Sequence, residues 1–407
     1  MAENSIPIRT ALMPLYYKNF HCIMGACQDN CCDDGWLIEF NKKDYLAIKR
    51  APKSPELQAL MAEGLSRLRE RAHDTMYAEL KVTPEGRCCF HGEDGLCRLQ
   101  MECGEAVLPK VCRIFPRRIQ YTLAAREYSL SPACEGVLAQ LWDLPEGIDF
   151  WEEPLPEKDC ERRIPKNPVA ARFAEIRSLC IDVLQERTQE LPRRLLLLGF
   201  LLQQLQKVDW ETGEGVDAWL ARGELLLHDQ ALAEELKKLP GNKAMFLTQN
   251  TRILVTLLLE QSMRKSLFRE LWSSIMCFVP TEEGRTATFD IQRYEALEKK
   301  LEELPGLGEY FFENLMVNAA FYMAVPALDS PEDVWKSYVH LCSLYSLYRF
   351  AAVCGCAAEV SRERLFRVLV SVSRSILHNP ARRDRLRDEL FKNDSATLAH
   401  MAILVNG

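Results

Sequence analysis

Apolar residues recur at intervals of three and four along most of the second half of the chain. Val169, Phe173, Ile176, Leu179, Cys180, Val183 and Leu184 share one helical face, and similar patterns continue to the C-terminus. Residues 169–407 are therefore predicted to be an all-α helical domain. Pro192, before RRLLLLGFLLQQL, stands where a first-turn proline is tolerated, and Ser330-Pro331-Glu332-Asp333 before VWKSYVHL reads as a helix start capped by Ser330. No repeat of constant length is visible, and a stack of divergent helical hairpins stays open.

The first third is patterned differently. Turn-prone segments such as CDDGW, TPEGR and HGEDGLC interrupt it, so its chemistry sits on loops. Between them, Lys43–Lys49 reads as helix, and Leu57, Leu60, Met61, Leu65 and Leu68 predict one long amphipathic helix over Pro55–Glu79. From Leu144 to Pro168 the chain is rich in proline and charge and lacks either period, which marks a linker. The expected fold class is mainly α. A loop-rich, cysteine- and metal-binding domain over 1–145 is followed by a linker over 146–168 and the helical domain over 169–407.

Composition narrows the class only a little. With 407 residues, 48% hydrophobic and 27% charged, the chain can bury more than one ordinary core. A formal charge of -7 argues against broad nucleic-acid binding, which depends on many basic side chains neutralising phosphates. The N-terminus lacks the features of a signal peptide, and the longest strongly apolar run, Leu195–Leu202, falls well short of the roughly 20 residues of a membrane span. A cytoplasmic protein without a transmembrane segment is expected, with peripheral membrane association left open.

The cysteines change the picture. Nine of the sixteen lie between Cys22 and Cys112, four of them in CIMGACQDNCC. In a reducing cell such clustering points to thiolate ligation of a metal rather than to disulfides. The candidate ligands are Cys22, Cys27, Cys31, Cys32, Cys88, Cys97, Cys112 and Cys134, with Cys89 and Cys103 as the expected non-ligands. Two ligand loops are expected to converge, and the glycines of HGEDGLC would turn Cys97 back towards Cys88. Cys31 is preferred over the adjacent Cys32 because neighbouring side chains diverge. Eight candidates exceed the four of one site, so one cluster with spectators and two separate sites both stay open, as do iron–sulfur and zinc.

Other residues carry weaker signals. His21 and His91 lie close to cysteines and can replace a thiolate. Arg113, Arg117 and Arg118 could offset cluster charge or bind a carboxylate, with a solvated basic turn as the plain alternative. Asp33, Asp34 and Trp36 could hold a lysine, although core packing is the expected role of Trp36. Cys342, Cys354 and Cys356 fall on predicted helices and read as core thiols.

The stretch YYKNFHCIMGACQDNCCDDGWLIEFNKKDY, with CCFHGEDGLC, VCRIFPRR and SLSPACEG, resembles the bacterial flagellin lysine-N-methylase family. More distantly it is similar to proteins with a zinc- or iron-chelating CxxCxxCC domain. Cys88 with Phe90, Gly95 with Cys97, and Cys112-Arg113-Ile114-Phe115-Pro116 occupy the family's later cysteine segments, and Cys134 matches a further family cysteine. The resemblance covers roughly residues 15–140. It implies methyl transfer from S-adenosylmethionine to lysine side chains of flagellin, dependent on a 4Fe-4S cluster. No GxGxxG follows a strand, and the C-x3-C-x2-C spacing of ordinary radical enzymes is missing, so neither the methyl-donor site nor a catalytic residue is assigned. A non-catalytic zinc- or iron-chelating interaction module and an iron–sulfur redox protein are the alternatives.

Overall fold

The computed structural model describes residues 5–28, 30–33, 38–68, 76–84, 86–239, 241–259, 289–378, 384, 388, 390–391 and 396–407. Two compact units emerge from the packing of the chain: one comprises 20–118 with 134–136, the other 1–19, 119–133 and 137–407. The division therefore differs from a simple cut near residue 145. The chain enters the helical unit, leaves it for the cysteine-bearing unit and returns.

In the helical unit, every described element after residue 167 is a helix. All seven residues of the 169–184 stripe are buried, although the helix is broken at Arg172 into Pro168–Ala171 and Phe173–Gln185. Pro192 lies in the first turn of Leu191–Leu205, and the Ser330 hydroxyl accepts from the Asp333 amide at the start of Pro331–Gly355. That 25-residue helix is buried on nearly all sides, with Arg362–Leu377, Leu398–Val405 and Leu191–Leu205 packed against it. None of the described helices is long and apolar enough to cross a membrane.

The helical unit also carries strands that periodicity did not announce. Thr10–Pro14 pairs in parallel with Arg126–Leu130 and antiparallel with Phe150–Pro154, and Arg117–Tyr121 completes a four-stranded sheet. Ile6–Ile8 pairs separately with Glu161–Arg163. The segment read as a linker thus supplies two strands. Long-range pairing partners, rather than local pattern, put it in a sheet.

Charges inside this unit are paired. Glu313, 1% exposed, receives Arg194 at 2.7 Å and Arg187 at 2.8 Å, and Arg194 also donates to the Leu184 carbonyl at 2.6 Å. Glu127, fully buried, meets Arg177 at 2.5 Å, whose guanidinium lies between the rings of Phe173 and Phe321 at 4.7 and 4.9 Å. A buried charge without such partners would be costly.

Cys342, Cys354 and Cys356 are core thiols, each no more than 1% exposed. Burial pushes Cys180 and Cys342 up to about 12 and Cys356 up to about 11. An acid whose native pKa is raised contributes stability below its unfolded value and loses it as pH climbs towards the native one. Stability should therefore fall from about pH 9 towards pH 11, each thiol adding a slope approaching about 1.4 kcal/mol per pH unit. Urea midpoints across that range check this, and Cys342→Ala should flatten the slope.

The smaller unit is built on the antiparallel sheet Ile38–Phe40, Ala78–Leu80, Leu65–Arg67. Phe40, Ile48, Leu57, Met61, Leu80, Phe90 and Leu99 form its core. The long helix expected over 55–79 ends at Gly64, and Leu65–Arg67 becomes a strand. The reason is tertiary. A Cβ on Gly64 would lie 2.3 Å from the Cys89 sulfur, and the Gly64 carbonyl accepts from Lys81 at 2.8 Å. Glycine is also the weakest helix former after proline.

Candidate metal centre

Two cysteine-bearing loops of the smaller unit are laced together by backbone bonds. Phe20, 1% exposed, anchors the first, with the Arg117 guanidinium 5.1 Å from its ring and donating to its carbonyl at 2.9 Å. Beyond it come the turns Met24–Ala26 and Cys31–Asp33. The Asn30 side chain is the main clasp: it donates to the Gly95 carbonyl at 3.0 Å and accepts from the Cys32 amide at 2.9 Å. Cys88 then donates its amide to the Cys32 carbonyl at 2.7 Å. Gly25 comes so close to the second loop that a Cβ would sit 3.2 Å from the Asp94 carbonyl oxygen.

HGEDGLC forms the expected tight turn. His91 and Cys97 make an antiparallel bridge, Gly92 donates to Leu96 at 2.9 Å, and Gly95 adopts φ +76°, where glycine is unstrained. Cys97 caps the helix Arg98–Cys103. The third approach is the short helix Lys110–Ile114, which carries Cys112.

Asp44, 6% exposed, fixes that helix. Its carboxylate accepts from the Lys110 amide at 2.9 Å and faces Arg113 at 3.6 Å. Asp44 in turn lies at the start of Lys42–Arg50, where Asn41 accepts from its amide at 2.8 Å. Sequence reading missed Asp44; the Asn41-x-x-Asp44 cap pattern was the available signal. Asp44→Ala should cost the unit about 1–3 kcal/mol, a charged acceptor lost from a buried site. Faster hydrogen exchange at 110–114 checks it, and unchanged protection there would exclude this role for Asp44.

All eight candidate cysteines fall in this unit. Desolvation, then the neighbouring charges of Cys134, Glu135, Cys22 and Cys31, pushes the Cys27 thiol well up. Cys112 is raised by desolvation and then by Cys88, Cys97, Cys31 and Asp44, although the residue as a whole is exposed. Cys97 is raised chiefly by desolvation, with the Gln100 and Leu99 amides pulling the other way. Cys32 is raised by its hydrogen bond to Cys31, by burial, and by Cys31, Cys88 and Cys97. Cys31 is the common neighbour. Cys27, itself beside Cys22 and Cys134, senses Cys31, and so do Cys32, Cys88, Cys97 and Cys112. Crowded, half-buried thiols resist ionising together, and a bound cation would reverse that preference.

Among the described residues, no three Cys, His, Asp or Glu donors stand close enough to grip a single ion as they are placed. Cys89 turns towards the Gly64 carbonyl at 3.6 Å and Cys103 towards the Pro52 carbonyl at 3.3 Å. His21 is exposed and His91 lies on the turn. Arg113 and Arg117 serve as staples, to Asp44 and Phe20. Glu135, 8% exposed and beside Cys134, accepts from the Gln28 amide at 2.8 Å and was not foreseen. Asp34, Trp36 and the side chain of Asp33 lie outside the described residues.

Comparison with known proteins places the chain. Residues 177–404, more than half of it, match the model of the FliB lysine N-methylase C-terminal domain. The flagellar biosynthetic protein FliU of Salmonella muenchen is 30% identical over 148 residues, 35% of this chain and 83% of that protein. The lysine-N-methylases of Salmonella choleraesuis and Salmonella typhimurium are each 29% identical over 150 residues, and the match spans only 36% of their length. No solved structure matches. With the family model covering the helical unit from 177 onwards, the chain belongs to the FliB lysine N-methylase family.

Proposed function

We propose that this protein transfers methyl groups from S-adenosylmethionine to lysine side chains of flagellin, and that its cysteine unit holds a 4Fe-4S cluster. The observation that carries the reading is the family match over 177–404, with relatives named as lysine-N-methylases. The name of the flagellar relative supports a flagellar substrate.

Soft donors support a thiolate-ligated group: the thiols of Cys31, Cys32, Cys88, Cys97 and Cys112 sense one another, and such a set suits an iron–sulfur cluster as well as zinc. The family resemblance of the cysteine segments favours the cluster. Cys31, Cys88, Cys97 and Cys112 would hold it, leaving Cys22, Cys27 and Cys134 as a second thiol group that meets Cys31 through Cys27, and Cys32 as a neighbour. When bound, the group supplies a thiolate cross-link between the loops and a redox-active centre. Asn30, Asp44 and the 91–97 turn orient the ligands.

Methyl transfer itself asks for a neutral amine. The lysine nitrogen forms the new N–C bond while the S–C bond of the sulfonium breaks towards sulfur, and the extra proton leaves the nitrogen. Desolvation or a nearby base must therefore lower the lysine pKa. Anaerobically purified protein, flagellin and the methyl donor test the reading, with mass spectrometry of flagellin peptides as the readout. Methylated lysines support it. Unmodified flagellin with intact protein overturns the activity, and stoichiometric zinc without iron or sulfide overturns the cluster.

A further inference from the structure

The strand Phe150–Pro154 is the outer strand of its sheet. Thr10–Pro14 pairs with one edge, and among the described residues no strand pairs with the other. Four of its five residues are exposed. An open edge offers unpaired N–H and C=O groups to another extended chain. The side chains along this one are acidic and aromatic: Glu152, Glu153 and Trp151, the last 47% exposed.

Trp151 and Glu153 are two apart and share a face, as the bond from Trp151 Nε1 to Glu153 Oε2 at 3.3 Å requires. A lysine already sits on them. The Lys18 ammonium lies 4.5 Å from the centre of the Trp151 ring and 2.8 Å from Glu153 Oε2. Tryptophan is the best aromatic partner for a cation, and a carboxylate beside its face adds the charge-assisted bond.

We propose that Trp151 and Glu153 form a seat for a lysine side chain of an extended, basic polypeptide segment that adds to the Phe150–Pro154 edge, and that Lys18 fills this seat in the free protein. The proposal rests on the lysine-methylating reading and names how that substrate is held. The seat recognises a flanking lysine and not the reacting one. A nitrogen bonded to Glu153 as ammonium has no lone pair to attack a methyl group, and the two carboxylates favour a segment carrying positive charge.

Fluorescence anisotropy of the full chain tests this, with a short fluorescein-labelled Thr/Val/Ser peptide bearing one central lysine and its norleucine counterpart. The lysine peptide should bind more tightly. Lys18→Ala removes the internal competitor and should tighten that binding roughly two- to fivefold, the scale of an exposed cation–π contact. Trp151→Gln and Glu153→Gln should abolish the preference for lysine, while Trp151→Tyr keeps most of it and controls for folding. Equal affinity for both peptides in every variant overturns the seat. So does self-association that Trp151→Gln abolishes in sedimentation, which would give the edge to a second copy of the chain. Methyl transfer to flagellin without a lysine preference removes the seat alone; a lysine preference without methyl transfer removes the activity alone.

Discussion

Cys31→Ser is expected to leave anaerobically purified protein with little or no iron and sulfide, and with the visible absorption of the cluster lost. Cys31 is the thiol that Cys88, Cys97 and Cys112 all sense, and Cys27, which neighbours Cys22 and Cys134, senses it too. Serine keeps the size of the side chain but is a poor iron ligand, so folding and ligation are separated. Cys88→Ser, Cys97→Ser and Cys112→Ser should follow it. Cys103→Ser should retain iron, because that thiol turns to the Pro52 carbonyl, and Cys89→Ser should too if the Cys89 thiol, which meets both the Gly64 carbonyl and Cys88, only supports Cys88. Full iron retention in Cys31→Ser would falsify the quartet. If Cys22→Ser, Cys27→Ser or Cys134→Ser instead empties the protein, the second thiol group holds the cluster.

Glu313→Ala should destabilise the helical unit by about 3–5 kcal/mol, the cost of breaking a buried pair and leaving its partner charge behind. Arg194, 2% exposed, would keep only the Leu184 carbonyl and the longer contact to Glu309 at 3.4 Å. Arg187 would lose three bonds of 2.8–3.1 Å but is 39% exposed and can turn to water. Most of the loss therefore belongs to Arg194. Glu313→Gln, which still accepts hydrogen bonds, should cost less. Against a typical domain stability of about 5–15 kcal/mol, the alanine variant should unfold at markedly lower urea. An unchanged midpoint would show that Arg194 finds another acceptor.

Those two results depend on different kinds of information. The crowding of the candidate cysteines in one unit was legible from their spacing, and the turn 91–97 needs only its own glycines to form. The clasp was not legible. Asn30 and Asp44 look like ordinary polar residues until folding brings the Gly95 carbonyl and the Lys110 amide to them. Likewise, Leu57, Leu60, Met61, Leu65 and Leu68 satisfy a helical period, but the contact of Gly64 with Cys89, remote in sequence, ends the helix.

What the sequence determined by itself was local. The helices after residue 167 follow from their apolar period and from start signals such as the Ser330 cap and the first-turn Pro192, because a helix makes its hydrogen bonds within one segment. The family signal and the thiol-rich chemistry are equally properties of residues in order. Only the tertiary structure decided the excursion of 20–118 from the helical unit and the strands at 10–14 and 150–154. It also placed Lys18 against Trp151 and Glu153, and brought Cys31 close to Cys27, Cys88, Cys97 and Cys112. The physical reason is that a strand bond, a buried ion pair or a metal ligand needs a partner distant in the chain. No local period names that partner.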